Sequence, residues 1–140
     1  DWLDLIDKAG EQGRGQSVWM SFALARTLRI TARLADWRAE PRVARKCRQR
    51  YAALRKAILK HGWEDDRFIY AINDHGEKIG SRESAAGHIF INPQSWALLS
   101  GVVDAGQYTK IAESIEPVVD TPVGPVHSWP PYTEYDPHIG

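Results

Sequence analysis

Apolar residues recur along this chain at two different spacings, and the change of spacing divides it. Val18, Phe22, Ala25, Leu28 and Ala32 fall three or four residues apart and predict a helix from Val18 to Trp37, with Ser17 as its N-cap. Trp19, Leu24 and Ile30 widen the apolar face of that helix, so burial between neighbours is expected. Glu40-Pro41 interrupts the pattern, with proline near a first helical turn. Val43, Cys47, Tyr51, Leu54 and Ile58 then form one stripe of a second helix reaching about Lys60. His61-Gly62 is expected to close it, the glycine adopting a left-handed conformation. Two helices joined by so short a link predict an antiparallel pair.

The period then drops to two. Phe68, Tyr70 and Ile72 alternate, "NDHG" (73–76) is a turn signal, and Ile79 follows, which predicts a short β-hairpin. "IFINPQSWALLSGV" (89–102) predicts a third helix, with Asn92 as N-cap and Pro93 at the first helical position. "DAGQYTKIAESIEPVVD" (104–120) predicts a fourth, ending near Pro117. From Thr121 onward the chain carries five of its eight prolines together with Trp129, Tyr132 and Tyr135, so an irregular aromatic tail is expected. The whole reads as an all-α fold of helix pairs with one hairpin insert.

Composition narrows the function. Of 140 residues 43% are hydrophobic and 26% charged, enough for one modest domain. Lys plus Arg equals Asp plus Glu at 18 each, so the net charge is zero, which argues against a nucleic-acid binder. The basic run "RAEPRVARKCRQRYAALRKAILK" (38–60) reads first as a solvated helix face, with a phosphate-binding patch as the alternative. The single cysteine, Cys47, cannot form an internal disulfide and is expected to be buried or half-buried on its helix. No apolar run approaches the roughly 20 residues of a membrane span, and no signal peptide is evident. Together these fit a cytoplasmic location. The chain opens at Asp1 within loop-like sequence, so a piece of a larger polypeptide is expected.

Metal chemistry has little support, because the five histidines are scattered and neither H-E-x-x-H nor C-x-x-C occurs. Serine and cysteine nucleophile motifs are absent, and "GEQGRG" follows no strand and lacks dinucleotide-loop spacing. The more suggestive stretch is "DWLDLIDKAGEQGRGQSVW" (1–19), which gathers acids and tryptophans around a glycine-rich bend. Sugars are bound by aromatic faces and by carboxylates, and glycosidic cleavage needs a carboxylic acid to protonate the leaving oxygen. A hydrolase needs a second carboxylate; with phosphate as the attacking group it does not. Asp1 or Asp4 could instead cap a turn, and Trp2 and Trp19 could be core.

Several stretches together resemble the inverting disaccharide phosphorylases of glycoside hydrolase family ninety-four, which include cellobiose and chitobiose phosphorylases. They are "DWLD" (1–4) against D-W-N-D, "GRGQSVW" (13–19) against G-R-G-E-S-V-W, "NPQSW" (92–96), "DTPVG" (120–124) and "DPHIG" (136–140), all in order. The resemblance implies an (α/α)6 barrel, of which residues 1–140 would form part of the catalytic domain. It implies that Asp4 is the general acid and that Trp2 lines the sugar site, while Asp1 shapes the loop. A β-linked gluco-disaccharide or oligosaccharide and inorganic phosphate would yield an α-sugar 1-phosphate, without a metal or other cofactor. It also implies a homodimer in the full-length protein. The phosphate-binding residues would lie beyond "DPHIG", so the 140-residue chain alone is expected to be inactive.

Two departures stand out, Leu3 for the asparagine of D-W-N-D and Gln16 for the glutamate of the second motif. Leucine cannot make asparagine's hydrogen bonds, so a modified acceptor such as a sugar acid is one expectation, with Arg14 facing its carboxylate. The plainer reading of Arg14 is a loop brace. Two other classes remain open: an inverting (α/α)6-barrel hydrolase, for which Glu83 and Glu134 are the loop carboxylates to test against Asp4, and a non-catalytic helical carbohydrate-binding scaffold.

Overall fold

A computed structural model describes residues 6–140; Asp1, Trp2, Leu3 and Asp4, with the roles expected of them, lie outside the described residues. The element order is β1 (Gln16–Ser17), α1 (Val18–Trp37), α2 (Pro41–His61), β2 (Trp63–Glu64), β3 (Arg67–Phe68), β4 (Ala71–Ile72), β5 (Lys78–Ile79), β6 (Ile89–Phe90), α3 (Ile91–Ser100), α4 (Ala105–Val119) and β7 (Ser128–Trp129). Helices dominate, and the strands are two-residue ladders that hold loops in place. This agrees with part of a helical barrel domain.

Helix α1 starts where the pattern placed it. Ser17 is extended and its Oγ accepts the Met20 N–H at 3.1 Å, satisfying one of the free donors of the first turn. Its buried side is Val18, Phe22, Ala25, Ala32 and Ala35. Helix α2 returns alongside: Arg48 pairs with Asp36 at one end, and Val18 lies against Gly62 at the other, so the pair is antiparallel. The basic residues of α2 face solvent apart from half-buried Arg55, whose Nε donates to the Val102 carbonyl at 2.7 Å, whereas Ala44, Cys47 and Ile58 are buried.

Four details differ from the expectations. Gly62 ends α2 with φ −106°, not in the left-handed region; a Cβ there would stand 3.0 Å from the Ile58 carbonyl oxygen and 3.0 Å from Val18 Cγ1, so close approach is what requires glycine. Helix α3 begins at Ile91 with Phe90 as N-cap, because Ile89 and Phe90 pair with β7 and lead straight into the first turn. Asn92 is therefore inside the helix, and Pro93 sits within the first turn, where backbone N–H groups have no intrahelical partner. Helix α4, opened by a capping box between Asp104 and Gln107, runs through Pro117 to Val119. Its last turn is held by buried Val118, whose carbonyl accepts the Val126 N–H at 2.9 Å. Finally, Leu24 and Ile30 are 51% and 53% exposed, so the broad apolar face of α1 is only partly covered by the described residues.

The hairpin insert is larger than expected. Strands β4 and β5 pair antiparallel across the 73–76 turn, and β1 adds to β4 to make three strands in the order β1-β4-β5. Strands β2 and β3 form a second hairpin, and β6 and β7 a third pair. Phe68 connects sheet to helices: fully buried, it meets the Phe22 ring edge-on at 4.8 Å within a core of Val18, Ala25, Ile58, Ala97, Val102 and Ile111. Gln94, also fully buried, exchanges hydrogen bonds with the Phe68 backbone, accepting from its N–H at 2.9 Å and donating to its carbonyl at 2.7 Å. A side-chain amide thus acts as one more rung of the ladder and fixes α3 against β3. The tail after Thr121 is irregular apart from β7, as its prolines predict.

Candidate active-site loop

Ile6 lies two residues after Asp4 and is buried in a second apolar cluster with Ala9, Tyr70, Ala71, Ile79 and Phe90. Trp19, Tyr132 and Ile139 pack around that cluster. The stretch following Asp4 is therefore anchored at its first described residue, and the anchor is built from widely separated parts of the chain.

From Ile6 the loop turns back on itself and is held by one carboxylate. Asp74 accepts the backbone N–H groups of Gln12 at 2.6 Å, Arg14 at 2.7 Å and Gly15 at 2.7 Å. Its own N–H donates to the Ala9 carbonyl at 2.8 Å. Burial pushes the Asp74 carboxyl up, but the three N–H donors and the nearby Arg14 charge outweigh it and hold the group below its ordinary 3.8. Such a carboxylate stays ionised and fixes the loop as an anion-filled nest of amides. Gly15 is required by closeness, since a Cβ would lie 2.6 Å from the Ala9 carbonyl oxygen. Strand β1 continues from this loop, so the "GRGQSVW" segment is locked to "NDHG" before it enters α1.

The "DPHIG" segment closes on the same turn. The Lys8 N–H donates to the Ile139 carbonyl at 3.0 Å, and Asn73 Nδ2 reaches the His138 carbonyl at 3.4 Å. The His75 and His138 rings stack with centroids 4.2 Å apart, and Glu77 Oε2 lies 3.2 Å from His138 Nδ1. The hydrogen bond from Asn73 and then that from His138 draw the Glu77 carboxyl down. Asn73 organises the turn itself, its Oδ1 accepting from the N–H groups of His75 and Glu77.

Of the residues singled out from the sequence, Arg14 is described: its side chain is exposed and Nη2 donates to Gln12 Oε1 at 2.5 Å within the loop. Glu83 and Glu134 are exposed and line one cleft. Asp74 was read only as part of a turn signal; nothing local marks a carboxylate whose partners lie about sixty residues earlier. Gln94 was visible as a motif position but not as a buried backbone clamp. No group of three or more His, Cys, Asp or Glu suited to a metal ion occurs among the described residues, and no helix there is long and apolar enough to cross a membrane.

Comparison with known proteins identifies the frame to which this loop belongs. Solabiose phosphorylase of Paenibacillus borealis is 37% identical over 141 residues, covering 100% of this chain and 18% of its own length. Cellobionic acid phosphorylase of Neurospora crassa is 34% identical over 140 residues, again with 100% of this chain and 18% of its own length. A cyclic beta-(1,2)-glucan synthase of Rhizobium meliloti is 34% identical over 116 residues, covering 82% of this chain and 4% of its own. The chain thus spans under a fifth of the length of these relatives. The description "Glycosyl hydrolase 94 superfamily, catalytic domain" matches residues 1–140 from end to end. The loop held by Asp74 and the helices behind it are therefore part of a catalytic domain, and the chain belongs to the glycosyl hydrolase 94 superfamily.

Proposed function

We propose that the polypeptide carrying this chain is an inverting glycoside phosphorylase acting on a β-linked gluco-disaccharide or oligosaccharide. One observation carries the reading: the segment that holds Asp4 runs within two residues into an anchored loop, inside a chain matched throughout by the family's catalytic domain. Asp4 is the general acid that protonates the bridging oxygen. Phosphate attacks the anomeric carbon from the opposite face, so a single displacement inverts it and yields an α-sugar 1-phosphate. Trp2 forms a wall of the sugar site and Asp1 shapes the turn. The role of the described residues is positional. Asp74, Ile6 and the Lys8–Ile139 bond keep the loop from moving, which favours a fixed proton donor.

Two relatives are named for solabiose and cellobionic acid, so neutral sugars and sugar acids both belong in an acceptor panel. Arg14 is the cation of the loop that would face an acceptor carboxylate. The test is phosphate release by the complete polypeptide from α-glucose 1-phosphate with each acceptor. Asp4→Asn should lower turnover by about 10²–10⁴-fold with folding intact. Phosphate-independent hydrolysis that survives in the absence of any acceptor-driven phosphate release would replace this reading with the hydrolase.

A further inference from the structure

A cleft of about 1060 Å³ opens beside the anchored loop. One wall is the 81–86 turn, the other the 132–139 segment, and residues 76–78 lie between them. The walls are tied at their base by the β6–β7 pair and by the Gly87 N–H donating to the Pro130 carbonyl at 2.8 Å. Farther along, the second wall is tied to the hairpin by the Asn73–His138 and Glu77–His138 bonds. The cleft is thus braced along its length. It also borders the candidate active-site loop, because Tyr132 and Ile139 line it and pack against the cluster containing Ile6.

Its lining has a defined chemistry. Tyr132 and Tyr135 supply aromatic surface, Tyr135 being 70% exposed. Glu83, Glu134 and Asp136 supply carboxylates from both walls. The basic side chains of the cleft already face carboxylates: Lys78 Nζ is 2.7 Å from Glu64 Oε1, and His138 Nδ1 is 3.2 Å from Glu77 Oε2. Glu83 and Glu134 hold no ion pair among the described residues. An anionic ligand is therefore disfavoured. A neutral polyhydroxylated one is suited to it, its C–H faces meeting the tyrosines and its hydroxyls the carboxylates.

We infer that this cleft is a subsite for neutral sugar units of an oligosaccharide beyond the disaccharide that reacts. The inference rests on the proposed phosphorylase reading for its choice of ligand. Sugar units bound here lengthen the contact with substrate beyond the reacting disaccharide and so contribute binding.

Calorimetry on the complete polypeptide tests this directly, with two neutral series, cellobiose against cellotetraose and laminaribiose against laminaritetraose. In at least one series the tetrasaccharide should bind about 5-fold more tightly than the disaccharide. Tyr135→Ala and Glu134→Gln, both at exposed positions and checked for folding by circular dichroism, should abolish that advantage while leaving disaccharide affinity unchanged. No length advantage, or one that both variants retain, overturns the subsite. Phosphate release is measured separately. Release without a length advantage leaves the reaction and removes the cleft; a Tyr135-dependent length advantage without release leaves the cleft and removes the reaction.

Discussion

Asp74 shows how a residue can set the geometry of a site from far away in sequence. Its carboxylate gathers three amides of the 12–15 loop, and its pKa lies below the ordinary 3.8. A depressed carboxylate stabilises the fold fully above its unfolded-state value and loses that contribution as pH falls through the folded-state value. Thermal unfolding followed from neutral pH into the acid range should therefore show a component of stability that disappears below about pH 4. Asp74→Asn should be less stable at neutral pH and should lack that component, because the amide carries no charge to lose. Gln94 gives a second residue-scale expectation. Gln94→Leu removes both partners of the buried Phe68 backbone groups, and at about 1–3 kcal/mol for each unsatisfied group the loss should be about 3 kcal/mol by denaturant titration. Ala39 gives a third, of opposite sign. It holds φ 56° in the α1–α2 link, where a Cβ is disfavoured, so Ala39→Gly should stabilise by about 1 kcal/mol.

At the scale of elements, what could be read in advance was what is local. Ser17 followed by a three-to-four-residue apolar period fixed the start of α1, and the capping residue does what its chemistry dictates. The turn signal at 73–76 announced the β4–β5 hairpin, whereas the alternation at Phe68, Tyr70 and Ile72 is split between β3 and β4 of two different sheets, with Tyr70 between them. The misreadings share a cause: each is a place where tertiary packing outweighs a local signal. Pro117 is a helix breaker by composition, yet burial of Val118 and the Val126–Val118 bond carry α4 two residues further, to Val119. Asn92 has the chemistry of a cap, but β6 pairs with β7 and delivers the chain to the helix two residues sooner. Gly62 was read as a conformational necessity and is a spatial one. The clamp on the glycine-rich loop could not be read at all, because "NDHG" looks the same whether or not a loop lies against it. The α4 result leads to its own test. Since the helix continues past Pro117, restoring an N–H there should close one more backbone bond. Pro117→Ala should raise stability by about 1 kcal/mol, less than the roughly 3 kcal/mol of a helix interior because the site lies in the last turns.

At the scale of the whole molecule, the described helices make one packed group and not a closed ring. Four helices cannot complete an (α/α)6 barrel, and the chain spans 18% of the length of relatives such as the solabiose phosphorylase. The same incompleteness is written on α1, where Met20, Leu24, Ile30, Leu34 and Trp37 are all at least 45% exposed. A phosphorylase needs three things held together, an acid, a sugar and a phosphate. Under the proposed reading, the stretch from Asp1 to Gly140 supplies the first and part of the second. The loop that follows Asp4 is braced by contacts wholly within the chain, so the fold around it does not depend on phosphate. Catalysis does, because the attacking group must be held on the face opposite the acid and its reaction is accelerated only when orientation is fixed. The expected result is a chain of 140 residues that folds, with helical circular dichroism and protected amides at Gln12, Arg14 and Gly15 in hydrogen exchange, yet releases no phosphate from α-glucose 1-phosphate with any acceptor. Under the proposed reading, the complete polypeptide is expected to turn over under the same conditions. Robust phosphate release by the 140-residue chain would show that the phosphate site is built from residues 1–140.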